Sequence, residues 1–252
     1  MATMSGKHAI FLFPTSTDLF RAVAENFTQQ AIESIHNKGQ FFVVFSGGET
    51  PQSFFDALTS IPFCRDHTPW ENIQFFFADE RYVPYEDPAN NYHMAYEHLF
   101  SNVPVPASNI HPIPTDYPDP KQAALAYESS IRNCFQLHHH EVPKFDVIYL
   151  GLGRDGHTAS LMPNIEFDPS QSDQLVIALW IPELDMNRIT LTPLILNNAS
   201  CIKFLVSGES KASIVWEVLN GAYDPKKHPA QLIHGANGNT QWYLDQAAGK
   251  EL

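Results

Sequence analysis

Cysteine is scarce in this chain, long apolar runs are missing, and 28 acidic residues outnumber 15 basic ones. Each shortage excludes something. Cys64, Cys134 and Cys201 are odd in number, widely spaced and lack any C-x-x-C arrangement. Neither a disulfide framework nor a zinc ribbon is expected, and a reducing cytosol is the simplest compartment. The first apolar run, Ala9 to Phe13, stops at Pro14. It is too short for a secretory or membrane-spanning segment, and no later run is long enough, so a soluble, unprocessed, cytoplasmic protein is expected. A net charge of −13 opposes a nonspecific grip on nucleic acid or an anionic membrane. It also means that an anionic ligand would need the few Arg and Lys side chains concentrated at its site.

What is present reads as an α/β protein. Apolar runs recur at 9–13, 41–46, 73–78, 145–150, 175–180 and 201–207. Most are continuously apolar rather than alternating, as in strands covered on both faces. Between them lie helical patterns. Leu19, Val23, Phe27, Ala31 and Ile35 form one stripe of a helix over 17–36, and Gly39 punctuates its end. Ala123, Ala126, Tyr127, Ile131 and Phe135 mark another over 122–137. Alternation of this kind predicts a mainly parallel sheet flanked by helices. The Pro-rich stretches 102–120 and 223–229 read as ordered loops, and with no repeat or low-complexity linker, one domain over 1–252 is expected.

Ligands of such folds sit at the carboxyl ends of the strands. After the second run comes Ser46-Gly47-Gly48-Glu49-Thr50-Pro51, a Gly-rich turn feeding a helix that Thr50 is placed to cap. It reads either as a phosphate loop at a helix N-terminus or as an ordinary strand–helix turn. It is not a Walker loop, because the G-K-S/T ending is absent. After the third run come Asp79, Glu80 and Arg81, with Asn91 further on. Two acids beside an arginine are either an internal ion pair or an employed site in which the planar Arg81 fork meets an anionic or carbonyl oxygen.

After the fourth run comes Gly151-Leu152-Gly153-Arg154-Asp155-Gly156-His157, which satisfies G-x-G-x-x-G. The dinucleotide reading is poor. Pro163 leaves room for only a short helix, and the first acid after the next strand, Glu183, lies too far from the glycines. What the loop offers instead is His157, expected at a helix N-terminus where the dipole keeps imidazole neutral, beside Asp155. That pair is a candidate general base, although a histidine bonding its own loop is the plainer alternative. A metal site at His138, His139 and His140 is disfavoured, since three successive side chains cannot share one site on a helix; a solvated helix end fits better.

These segments together resemble the 6-phosphogluconolactonase family, which is grouped with the glucosamine-6-phosphate deaminases and isomerases. The family patterns S-G-G-S/T-x-P, D-E-R-x-V-P and G-x-G-x-D-G-H-T-A-S-L-F/M-P correspond to 46–51, 79–84 and 151–163. Residues 187–192 resemble E-R-I-T-L-T, residues 206–212 resemble V-x-G-x-x-K-A, and 240–248 resemble the closing strand and helix. The resemblance implies a Rossmann-like fold of the sugar-phosphate isomerase/deaminase type. It implies hydrolysis of 6-phosphoglucono-δ-lactone in the oxidative pentose phosphate pathway, with no metal or other cofactor. In that scheme Gly47, Gly48, Thr50, Arg188 and Lys211 hold the phosphate, and Asn91 is a further contact. His157 activates water with support from Asp155, and Arg81 meets the oxygen-rich end of the substrate or the charge developing there. The partner is a small sugar-phosphate lactone, and monomer and dimer stay open. Glu49 departs from the family's usual small residue. The deaminase pattern D-G-H-I-A-F-N-E carries a carboxylate where this chain has Met162, which favours the lactonase over a deaminase or isomerase. A noncatalytic sugar-phosphate sensor is the remaining alternative, though it would not need His157 or Arg81.

Overall fold

In the computed structural model, which describes residues 2–5, 8–138, 140–165, 173–235 and 238–252, the apolar runs become strands. The first half contains β1 (Ala2–Ser5), β2 (His8–Phe13), α1 (Ser16–Lys38), β3 (Phe41–Phe45), α2 (Glu49–Ser60) and α3 (Pro62–His67). Next come β4 (Ile73–Phe77), β5 (Asp79–Arg81), α4 (Asn91–His98), β6 (Ile110–His111) and α5 (Pro120–Cys134). The second half adds β7 (Val147–Leu150), β8 (Val176–Ile181), β9 (Met186–Leu191), α6 (Pro193–Asn197), β10 (Ile202–Val206), α7 (Ala212–Asn220) and β11 (Thr240–Asp245).

The main sheet runs β1-β2-β11-β10-β7-β3-β4-β6. Every neighbouring pair is parallel except β1 with β2. Both faces are covered, which explains the unbroken apolar runs. Adjacent residues show it directly. Phe41 packs edge-on against Phe27 of α1 with centroids 5.7 Å apart, whereas Phe42 lies 4.3 Å from Phe135, just beyond α5. Likewise Phe75 meets Trp70 and Phe100 while Phe76 meets His111 and Phe145. Each fully buried Phe contributes roughly 1.5–3 kcal/mol relative to exposure.

The long helix matches its stripe: Leu19, Val23, Phe27 and Ala31 are fully buried, Thr15 caps the start, and Gly39 adopts φ 84 at the end. α5 begins two residues before the expected point because Asp119 caps it and Pro120 takes its first turn. The run at 175–180 is corrected in place. It is a strand, but of a second, antiparallel sheet, β5-β9-β8, rather than of the main one. The segment after β11 forms turns instead of the closing helix. The histidine run follows α5, with His139 outside the described residues. Among the described residues no helix is long and apolar enough to cross a membrane.

Candidate active site

The chain leaves β3 toward β4 and leaves β7 toward β10, on opposite sides of the β3–β7 pair. Loops that diverge at such a switch point leave a crevice beyond the carboxyl ends of the strands. A cavity of about 550 Å³ lies among the segments following β3, β4, β7 and β10. Ser46 Oγ donates to Tyr149 O at 3.0 Å and ties the first of these loops to β7.

Gly47 is required by a close approach: a Cβ there would fall 1.7 Å from Asn91 Oδ1. Gly48 holds φ 104 and is the N-cap of α2, with no side chain capping the helix. Thr50 is therefore the second residue of the helix and not the cap that the sequence suggested. The first-turn N–H groups are left to a ligand or water, at the positive end of the helix dipole. Gly47, Gly48, Glu49 and Thr50 all line the cavity.

The small sheet supplies the arginines. Its register sets Arg81 directly opposite Arg188, two like charges side by side. Such a pair is unfavourable unless an anion is to be held between them. Arg81 Nη1 donates to Ala89 O at 2.8 Å, while Nε of both arginines is buried with no hydrogen-bond partner. Burial pushes the Arg188 pKa down, with Arg81 adding to the effect and Asp79 opposing it.

The neighbouring acids do not form the ion pair that the sequence allowed. Asp79 accepts from Ser160 Oγ at 2.6 Å. Glu80, fully buried, accepts from the backbone N–H groups of Arg81, Asn91 and Tyr92 at 2.8, 2.7 and 2.9 Å. Burial raises its pKa to about 7 against these three hydrogen bonds. It thereby anchors the start of α4 to β5 and places Asn91, whose Nδ2 donates to Asp79 O at 2.9 Å.

The loop after β7 corrects a second expectation: no helix follows His157. Residues 154–165 form turns closed by a Thr158–Leu161 bridge, and Ala159 adopts φ 49. Thr158 Oγ1 donates to Gly151 O at 2.8 Å, so a side chain takes the backbone partner and competes with helix. His157 therefore does not stand at a helix N-terminus. Asp155 takes over the orientation. Its Oδ1 lies 2.6 Å from His157 Nδ1 and also accepts the His157 N–H at 3.1 Å. Burial pushes the Asp155 carboxyl up, but the His157 hydrogen bond and charge outweigh it and hold the pKa at about 2. A carboxylate on Nδ1 assigns the proton there and leaves Nε2 free as a base. Gly153 makes room for the pair, since a Cβ there would meet His157 Nδ1 at 2.1 Å.

Lys211, following β10, donates to Leu152 O. Burial and the charge of Arg154 push its pKa down, against Asp155 and Glu49. His157, Arg81, Arg188, Lys211, Asn91, Gly47, Gly48 and Thr50 thus share one cavity, and Asp155 stands behind His157. Sequence reasoning passed over Arg154, Ser207, Ser210 and Leu184, which also line it. For Arg154 the signal existed: a cation at an open motif position in an acidic protein.

The class these features define is an α/β crevice protein whose cavity gathers four cations beside a His–Asp pair. The model of the family described as glucosamine-6-phosphate isomerases/6-phosphogluconolactonase matches residues 14–242. A 6-phosphogluconolactonase from Synechocystis sp. is 38% identical over 89% of this chain and 90% of its own length. One from Haemophilus influenzae is 34% identical, over 95% and 98%. The crystal structure of 6-phosphogluconolactonase from Thermotoga maritima superposes with a TM-score of 0.77 at 30% identity, covering 94% and 98% of the two chains. The chain belongs to the glucosamine-6-phosphate isomerase/6-phosphogluconolactonase family.

Proposed function

We propose that this protein hydrolyses 6-phosphoglucono-δ-lactone to 6-phosphogluconate, the lactone-opening step of the oxidative pentose phosphate pathway. The carrying observation is the 2.6 Å His157–Asp155 contact in a cavity that also holds Met162. Met162 stands where a deaminase relative would carry its acid, and a thioether cannot titrate. In the proposed reaction, His157 Nε2 takes a proton from water as the water oxygen bonds to the lactone carbonyl carbon. Asp155 holds the resulting imidazolium. Arg81 takes the charge developing on the carbonyl oxygen. Collapse breaks the bond to the ring oxygen, which receives the proton from His157. The α2 N-terminus with Gly47, Gly48, Thr50, Arg188 and Lys211 holds the phosphate, whose remote binding orients the ring. Asn91 contacts the sugar. None of these steps requires a metal or a redox cofactor. The whole chain acts as one domain on this small substrate, and its three free cysteines fit a cytoplasmic setting.

The test is turnover of 6-phosphoglucono-δ-lactone, with glucosamine 6-phosphate as the rival substrate and a no-enzyme control for spontaneous opening. His157→Ala is expected to lower kcat about 10²–10⁴-fold. An unaltered rate in that variant, or deamination without lactone hydrolysis, overturns the proposal.

A further inference from the structure

Arg154 occupies a motif position that the family pattern leaves open, and its exposed side chain lines the cavity. Among the described residues none of the cavity's four cations, Arg81, Arg154, Arg188 and Lys211, makes an ion pair; Arg21, Lys121, Lys144, Lys203, Lys226 and Lys227 make none either, but only these four converge on one cavity. Unpaired cations gathered in a protein of net charge −13 point to an anion that completes them. The lining also carries two acids, Glu49 and Asp79. Asp79 is engaged by Ser160, but Glu49 is exposed at the first position of α2, where a phosphate would seek the same N–H groups. The cavity's excess of positive charge is therefore two with Arg154 and one without it. A phosphate monoester carries about −1.5 to −2 at neutral pH.

We propose that Arg154 is a substrate-binding residue for the phosphate and that Glu49 opposes it, the two setting this site's preference for a phosphorylated lactone. The inference rests on the hydrolase reading above. Arg154 offsets a carboxylate that would otherwise compete with phosphate at the helix end, so the acid and the arginine compensate each other. The planar guanidinium, on an exposed side chain, can engage two phosphate oxygens at once. Glu49 weakens phosphate binding without touching the reacting carbonyl, which leaves the chemical step to His157.

The experiment compares kcat/KM for 6-phosphoglucono-δ-lactone and for unphosphorylated glucono-δ-lactone in wild type, Arg154→Gln, Glu49→Gln and the double variant. Thermal stabilisation by inorganic phosphate is measured alongside. Arg154→Gln is expected to lower the ratio of the two kcat/KM values about tenfold, or about 1.4 kcal/mol, mainly through KM. Glu49→Gln is expected to raise that ratio about threefold and to enlarge the phosphate-induced shift, in line with the loss of one opposing charge. In the double variant the gain should offset part of the loss and leave the ratio about threefold below wild type. Equal losses on both substrates would place Arg154's effect in the loop that carries His157 and overturn the proposal, as would no loss on either. A wild type that opens neither lactone refutes the hydrolase reading instead, and the phosphate-induced shifts then still report on Arg154.

Discussion

Replacing Gly153 with alanine tests the site by adding a single methyl group. The position has no positive φ, so the backbone accepts alanine without strain. The methyl would nevertheless lie 2.1 Å from His157 Nδ1, 2.3 Å from Cε1 and 2.5 Å from Asp155 Oδ1. Ordinary contact begins near 3.4 Å, so the imidazole must retreat by about 1.3 Å, and the carboxylate by somewhat less. His157 is about one-third exposed, which lets the ring yield without unpacking the core. A displacement of about 1 Å in a catalytic group costs on the order of 10²-fold in rate. The expected result is a kcat lowered about 100-fold, equivalent to about 2.7 kcal/mol of barrier, with KM changed less than threefold. Rapid-mixing or NMR progress curves corrected for spontaneous opening provide the rates, and thermal unfolding provides the control. Wild-type kcat in a folded Gly153→Ala protein would refute the assignment of His157 as the base. A large fall in stability would show instead that the loop is held more rigidly than its exposure implies.

Asp155→Asn should lower kcat about 10²–10⁴-fold with little change in KM, because an amide can select the wrong imidazole tautomer. Nitrogen-15 chemical shifts of His157 would register the change, and an unaltered kcat would dismiss Asp155 as the supporting group. Lys203 predicts a pH effect away from the site. It is buried against Asn26, Gln30 and the Tyr149 and Tyr243 rings, and burial lowers its pKa from 10.5 to about 8. A lysine depressed in the folded state contributes stability that is present above pH 10.5 and lost as pH falls through about 8. Unfolding free energies should therefore rise in wild type relative to Lys203→Met across that window, by on the order of 3 kcal/mol. Cys201 is coupled to Lys203 and titrates in the same window, so both proteins carry Cys201→Ala; parallel curves would refute the assignment of the shift to Lys203.

The pattern of elements was legible because apolar periodicity is local. Phe41–Phe45 and Ile73–Phe77 announce buried strands from composition alone, and Leu19, Val23, Phe27 and Ala31 announce a helix face. Most of the site was legible for the same reason, since its glycines and polar residues sit immediately after such strands. Two local readings failed because a nearby hydrogen bond or cap prevailed. Thr158 bonds back to Gly151 and keeps the His157 loop from becoming a helix, and Gly48 displaces Thr50 as the cap of α2.

By itself, then, the sequence determined the α/β class, the strand-end loops and the candidacy of His157 with Asp155, all of which depend on neighbours along the chain. Only tertiary structure decided that β5 and β9 pair in a separate sheet and bring Arg81 opposite Arg188. It also decided that Glu80 is held by backbone N–H groups, that of Arg81 included, rather than by the Arg81 guanidinium, and that Arg154 and Glu49 share a cavity with Lys211. The reason is physical: strand register and charge juxtaposition join residues about a hundred positions apart, and no local periodicity encodes which of them will meet.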